Sequence, residues 1–221
     1  MIKDLFKNWK TVPNLLSFLR IVMVPIFAVL FYKGYPIWAV FVLFLSGLSD
    51  FLDGKIARRF NQISDLGKIL DPIADKLTQM TIALMLLLTF LHSENRTIRI
   101  FSWVFAVFLL KELFMLAVGL VMLALKVRPG AAEIYGKVAT FVFYAVMIFI
   151  IAFGPDVGAF REFWTMPTIL LQILVVISAL LTLLAFASYV PGTKKALIDD
   201  RKKEKLEKQQ KEKEEKEEES K

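Results

Sequence analysis

The chain has 221 residues, of which 57% are hydrophobic, and a mean hydropathy of +0.57. The apolar residues come in blocks of about 20, the length that crosses a bilayer, which excludes an ordinary water-soluble domain. Cysteine is absent and the only histidine is His92, so disulfides, thiolate nucleophiles, cysteine-ligated zinc and imidazole-based metal sites are excluded and acid–base chemistry falls to carboxylates. The net charge of +7 suits an anionic membrane surface or phosphate-bearing substrates, with no nucleic-acid partner expected.

In residues 1–12, Ile2, Leu5, Phe6 and Trp9 recur at helical spacing, with Lys3, Lys7 and Lys10 elsewhere on the wheel. This predicts an amphipathic helix lying in the headgroup plane. A first span is expected from Asn14 to Phe31, after Pro13 at its start. Its one charge, Arg20, is expensive in lipid and is expected to face a polar cavity or to snorkel. The length of this block, its Lys-bearing start and the lack of a small-x-small cleavage site read as a retained anchor. Span 2 begins near Pro36 and enters a charged stretch by Ser49. Asn61, Gln62 and Ser64 form a polar turn before span 3, from about Asp65 to Leu91. Spans 4, 5 and 6 are expected at Ile98–Leu125, Gly136–Phe153 and Met166–Tyr189.

The predicted fold is thus all-α, a polytopic membrane bundle of six transmembrane helices with an N-terminal interfacial helix. Its parts are residues 1–12, a six-span domain at 13–190 and a charged tail at 191–221. From Asp199 the tail is almost wholly Lys, Glu and Gln, too polar to pack a core. If six spans alternate, most loop lysines and arginines fall on one side, which puts both termini and the stretch 50–76 at the cytoplasmic face.

That stretch carries Asp50, Asp53, Asp71 and Asp75. Residues three or four apart share a helix face, so the four make two pairs, and two facing pairs make a four-carboxylate cage. Such a cluster cannot stay ionised and dry without cations. Oxygen-only ligands favour Mg²⁺ or Mn²⁺ over zinc. The alternative is structural, with the aspartates paired to Lys55, Arg58, Lys68 or Lys76 or capping helix ends. The small residues Gly54, Ala57 and Gly67 let a flat group approach the backbone, or serve as packing notches.

The string Asp50-x-x-Asp53-Gly54-x-x-Ala57-Arg58, then eight residues, then Gly67-x-x-x-Asp71-x-x-x-Asp75, resembles the signature of the CDP-alcohol phosphatidyltransferase family at all eight positions. The resemblance implies transfer of a phosphatidyl group from CDP-diacylglycerol to an alcohol, with release of CMP and two metal ions on the diphosphate. It implies Asp50, Asp53, Asp71 and Asp75 as metal ligands, Asp75 also as general base, and Gly54, Ala57, Arg58 and Gly67 as the nucleotide surface. Homodimerisation is a further expectation of the family.

A third constellation is Lys111 with Glu112 inside span 4, then Arg128, then Gly136, Lys137 and Thr140. Adjacent helical positions point about 100° apart, so Lys111 and Glu112 are expected to find partners on other helices. Together with Pro13–Arg20, PNLLSFLR, this set is similar to the phosphatidylglycerophosphate synthases of the family. That likeness implies glycerol 3-phosphate as acceptor, held by Lys111, Arg128 and Lys137. Phosphatidylglycerol, giving cardiolipin, is the alternative, with inositol phosphate or serine behind it. Outside the family, a membrane prenyltransferase would carry its aspartate motifs on widely separated spans, and a cation transporter would not need the Gly, Ala and Arg positions.

Overall fold

A computed structural model describes residues 11–60, 62, 64, 66–124 and 134–188 and four isolated positions beyond, with backbone alone at Gly54, Ala57, Arg58, Lys68, Leu123, Ala124, Ile134 and Tyr135. Residues 1–10 of the expected interfacial helix, nearly all of the tail, and Arg128 lie outside the described residues.

The first helix, α1, spans Val12–Tyr32. The Thr11 side chain caps it by accepting from the Asn14 amide at 3.3 Å, and proline stands in its first turn, where no intrahelical donor is lost. Gly34, at φ +74°, turns the chain into α2, Pro36–Arg59. After the polar turn come α3, Gly67–Leu91, and the short α4, Arg96–Phe101, capped by Asn95. Ser102 separates α4 from α5, Trp103–Ala124, and the two together make one predicted span. Then come α6, Ile134–Phe153, and α7, Thr168–Ser188. Among the described residues six helices, counting α4 and α5 as one, are long and apolar enough to cross a membrane. Pro25 in α1 and Pro72 in α3 sit inside their helices, where neighbouring segments can satisfy the freed carbonyls.

Helix α3 is central, packing on α1, α4 and α5, while α2 packs on α1 and α6. The core gathers Ile82, Leu86 and Phe90 of α3, Phe105 and Phe108 of α5, Phe143 and Met147 of α6 and Leu171 and Val175 of α7. Outside this core the polarity inverts. Helix α1 exposes Leu15, Phe18, Val22, Ile26 and Val29, and buries Asn14, Ser17 and Arg20. In water that arrangement would be unfavourable, whereas lipid accepts the apolar face and leaves the polar one to find protein partners. The link from α6 to α7 folds back on α6, with Met166 N–H donating to Phe153 O at 2.7 Å and Trp164 packed tilted against Phe149 and edge-on against Phe153.

Candidate active site

The inward polar face of α1 meets the charged ends of α2 and α3. The Arg20 guanidinium is wholly buried and reaches two carboxylates, with Nη1 on Asp50 Oδ1 and Nη2 on Asp53 Oδ2. One guanidinium can take both because Asp50 and Asp53 stand one turn apart on a shared helix face. The Asp53 side chain is 7% exposed and that of Asp50 39%, so Asp50 alone of this pair opens to the surface. Ion pairing therefore does occur in the cluster, through Arg20 of the first span for Asp50 and Asp53 and through Lys76 for Asp75. Lys55 instead lies over the Phe51 ring, 3.9 Å from its centroid.

On α3, Asp71 Oδ1 accepts from Ser17 Oγ of α1 and lies within electrostatic reach of Arg20 and Asp50. Asp75, one turn further in, accepts from Gln79 Nε2 at 3.0 Å through both oxygens and from Tyr144 Oη of α6 at 3.3 Å. It too feels Asp50 and Arg20, and with them Lys76 and Glu112. Arg20 is thus in contact with, or within electrostatic reach of, all four aspartates.

The donor chemistry of this cluster fits a hard divalent cation. The cage, however, is not preformed. Among the described residues no three carboxylates stand close enough to hold one ion, and each aspartate already has a protein partner: Arg20 for the first pair, Ser17 for Asp71, and Gln79 and Tyr144 for Asp75.

Gly54, Ala57 and Arg58 fall in the last turns of α2, and their side chains are outside the described set. Gly67 does not border open space. A Cβ there would lie 2.6 Å from Asn14 Oδ1 and 3.1 Å from Ser64 Oγ. Ser64 Oγ donates to Asn14 Oδ1 at 2.8 Å and accepts from Gly67 N–H at 2.9 Å, so the glycine lets the α2–α3 turn close on α1.

Glu112 of α5 has a side chain only 1% exposed. It finds the expected partner on another helix, Lys76 Nζ of α3 at 2.7 Å, but it also pairs with its neighbour Lys111. The expectation against that adjacent pair fails because two long side chains can curl across the 100° between their Cα–Cβ directions once burial leaves the charges no water. Lys76 Nζ is also 4.0 Å from Asp75 Oδ2, which joins this lysine–glutamate cluster to the carboxylates. Of the other two basic residues expected beside Lys111, Lys137 is exposed near the start of α6 and Arg128 lies outside the described residues. Asn14, Ser17, Gln79 and Tyr144 carry no individual role in the sequence reading. The signal for the first two was present, since Asn14, Ser17 and Arg20 recur every three residues on an otherwise apolar helix.

Comparison with known proteins bears on this arrangement directly. Residues 10–188 match the family described as CDP-alcohol phosphatidyltransferase. A protein of Aquifex aeolicus named CDP-diacylglycerol--glycerol-3-phosphate 3-phosphatidyltransferase is 35% identical over 182 residues, 80% of this chain and 93% of that protein. A cardiolipin synthase (CMP-forming) of Streptomyces coelicolor is 38% identical over 151 residues, 65% of this chain and 66% of the relative. A putative cardiolipin synthase of Mycobacterium bovis is 43% identical over 76 residues, and the matched part spans 36% of its length. The carboxylate cluster, Arg20 and the Glu112 cluster all fall within the matched residues, and the chain is an integral membrane protein that belongs to the CDP-alcohol phosphatidyltransferase family.

Proposed function

We propose that the protein transfers a phosphatidyl group from CDP-diacylglycerol to glycerol 3-phosphate, forming phosphatidylglycerophosphate and CMP. The observation that carries the acceptor is the pair of ammonium groups, Lys76 and Lys111, gathered on buried Glu112 beside Asp75. Held this close to Asp75, their ammonium groups could make charge-assisted hydrogen bonds to an acceptor's phosphate beside the base. The Aquifex relative, aligned over 93% of its length, supports the same choice.

In this reading Asp50, Asp53, Asp71 and Asp75 hold Mg²⁺ or Mn²⁺, two ions, at the cytoplasmic face where both termini also lie. When bound, the ions neutralise the diphosphate and the charge that develops on the leaving oxygen. Gly54, Ala57, Arg58 and Gly67 belong to the nucleotide surface. Lys111, with Lys76, holds the acceptor's phosphate, and Lys137 and Arg128 draw it in. Asp75 takes the proton from the acceptor hydroxyl as that oxygen attacks the phosphorus bearing the diacylglycerol, and the bond from this phosphorus to CMP breaks, CMP leaving with the electron pair. Gln79 and Tyr144 orient the Asp75 carboxylate for this by donating to it.

A second reading, phosphatidylglycerol as acceptor, is favoured by the 38% identity to the Streptomyces cardiolipin synthase. Purified protein given CDP-diacylglycerol, Mg²⁺ and each of glycerol 3-phosphate, phosphatidylglycerol, inositol phosphate and serine separates the two. CMP release with phosphatidylglycerophosphate as lipid product is expected. Cardiolipin as the sole product would move the assignment to the second reading, and no CMP with any acceptor would sink both.

A further inference from the structure

Among the described residues Arg20 is the one charged side chain with no exposure at all, and the opposite, apolar face of its helix is exposed. A guanidinium cannot shed its proton to escape such a place, so it must be neutralised by what surrounds it. Here that is Asp50 and Asp53 directly, with Asp71 and Asp75 within electrostatic reach. All four carboxylates are therefore within reach of this one buried cation, Asp75 having Lys76 as well. Among the described residues no three of the carboxylates are grouped to hold one ion, and the guanidinium occupies one oxygen each of Asp50 and Asp53.

We infer that Arg20 is the counter-cation of the carboxylate cluster when no divalent ion is bound, and that divalent ion and guanidinium compete for Asp50 and Asp53. The inference rests on the reading of these aspartates as metal ligands. A small divalent ion needs carboxylate oxygens at about 2.0–2.1 Å. Drawing Asp50 and Asp53 onto it together with an α3 aspartate pulls them away from Arg20, and the incoming charge repels the guanidinium. Arg20 thus keeps the empty cluster from flying apart and also weakens its hold on metal. A purely structural arginine would do only the first of these.

The test uses the full chain, purified in detergent, as the parent and as Arg20→Gln and Arg20→Lys. Mn²⁺ affinity is read from the paramagnetic signal of the free ion, and thermal unfolding is followed with and without saturating Mg²⁺. Removing the competing charge should tighten Mn²⁺ binding by about tenfold in Arg20→Gln. The same variant should unfold earlier than the parent without metal and regain most of the difference with Mg²⁺. Arg20→Lys keeps the charge but not the two-carboxylate reach, so it should bind Mn²⁺ more tightly than the parent and less tightly than Arg20→Gln. If Arg20→Gln does not survive purification, the lysine variant against the parent decides. Unchanged or weaker Mn²⁺ binding in the variants, with the parent binding normally, overturns the role of Arg20 and leaves the metal reading intact. A parent that binds no Mn²⁺ overturns both.

Discussion

Near Gly67, where α1, α2 and α3 meet, the buried side chains are Asn14, Ser17, Arg20, Asp53 and Ser64. Where α3, α5 and α6 cross, they are Phe90, Phe105, Phe108 and Phe143, with successive ring centroids 5.3–6.2 Å apart. The aromatic region is held by dispersion and close packing, which many apolar side chains of suitable volume would supply. The polar region depends on particular partners. Each of its groups is desolvated and is tolerable only because a named neighbour, such as Asp53 for Arg20 or Asn14 for Ser64, completes it. Stability alone would be served better by apolar side chains, so the polar region is where function sets the sequence.

That contrast can be broken most severely at the carboxylates. Asp71→Asn keeps the shape of the side chain and an oxygen for Ser17, and Asp50→Asn likewise keeps an acceptor for Arg20. Each removes one charge from the proposed metal-holding set, which would be worth several kcal/mol of transition-state stabilisation, so a loss of about 10³-fold or more in kcat is expected. Membrane insertion and purification yield should be near those of the parent. Near-parental turnover at limiting Mg²⁺ in either variant would refute the metal assignment.

Next in size is Asp75→Asn, which should lower kcat by about 10²–10⁴-fold, the usual worth of a general base, with little change in CMP affinity. Equal losses in kcat and in CMP binding would instead make Asp75 a binding group only.

Phe105→Ala tests the other region. Deleting this fully buried ring should cost about 3 kcal/mol of stability, seen as earlier thermal unfolding, while KM for both substrates stays put. A KM shift would mean that the aromatic core tunes the site, and the division between the two regions would fall.

The smallest expected effect sharpens the comparison within the polar half. Lys111→Gln removes one charge-assisted contact, worth about 1.5–3 kcal/mol, and should raise KM for glycerol 3-phosphate about ten- to a hundredfold with kcat nearly unchanged. Lys137→Gln, at an exposed position, should shift KM by less than Lys111→Gln. If neither lysine matters, the acceptor is not held by this cluster, and phosphatidylglycerol or a neutral alcohol becomes the better substrate.

The sequence by itself determined the class of fold, the six apolar spans and the family, because these depend on local quantities. Twenty-residue apolar blocks decide spanning, and the signature from Asp50 to Asp75 lies within one hairpin, where helical spacing already implies which carboxylates share a face. It also marked Arg20 as a charge that lipid would not accept. What only the tertiary structure decided is where each buried charge ends. Arg20 meets Asp53 across 33 positions of sequence and Tyr144 meets Asp75 across 69; both pairings depend on how far one helix slides and turns against another, which no local pattern encodes. The pairing of Lys111 with Glu112 ran against helical geometry for a related reason. In a dry interior the demand for an opposite charge outweighs the preferred direction of a long side chain, and only the packing of α3 against α5 tells which groups are dry.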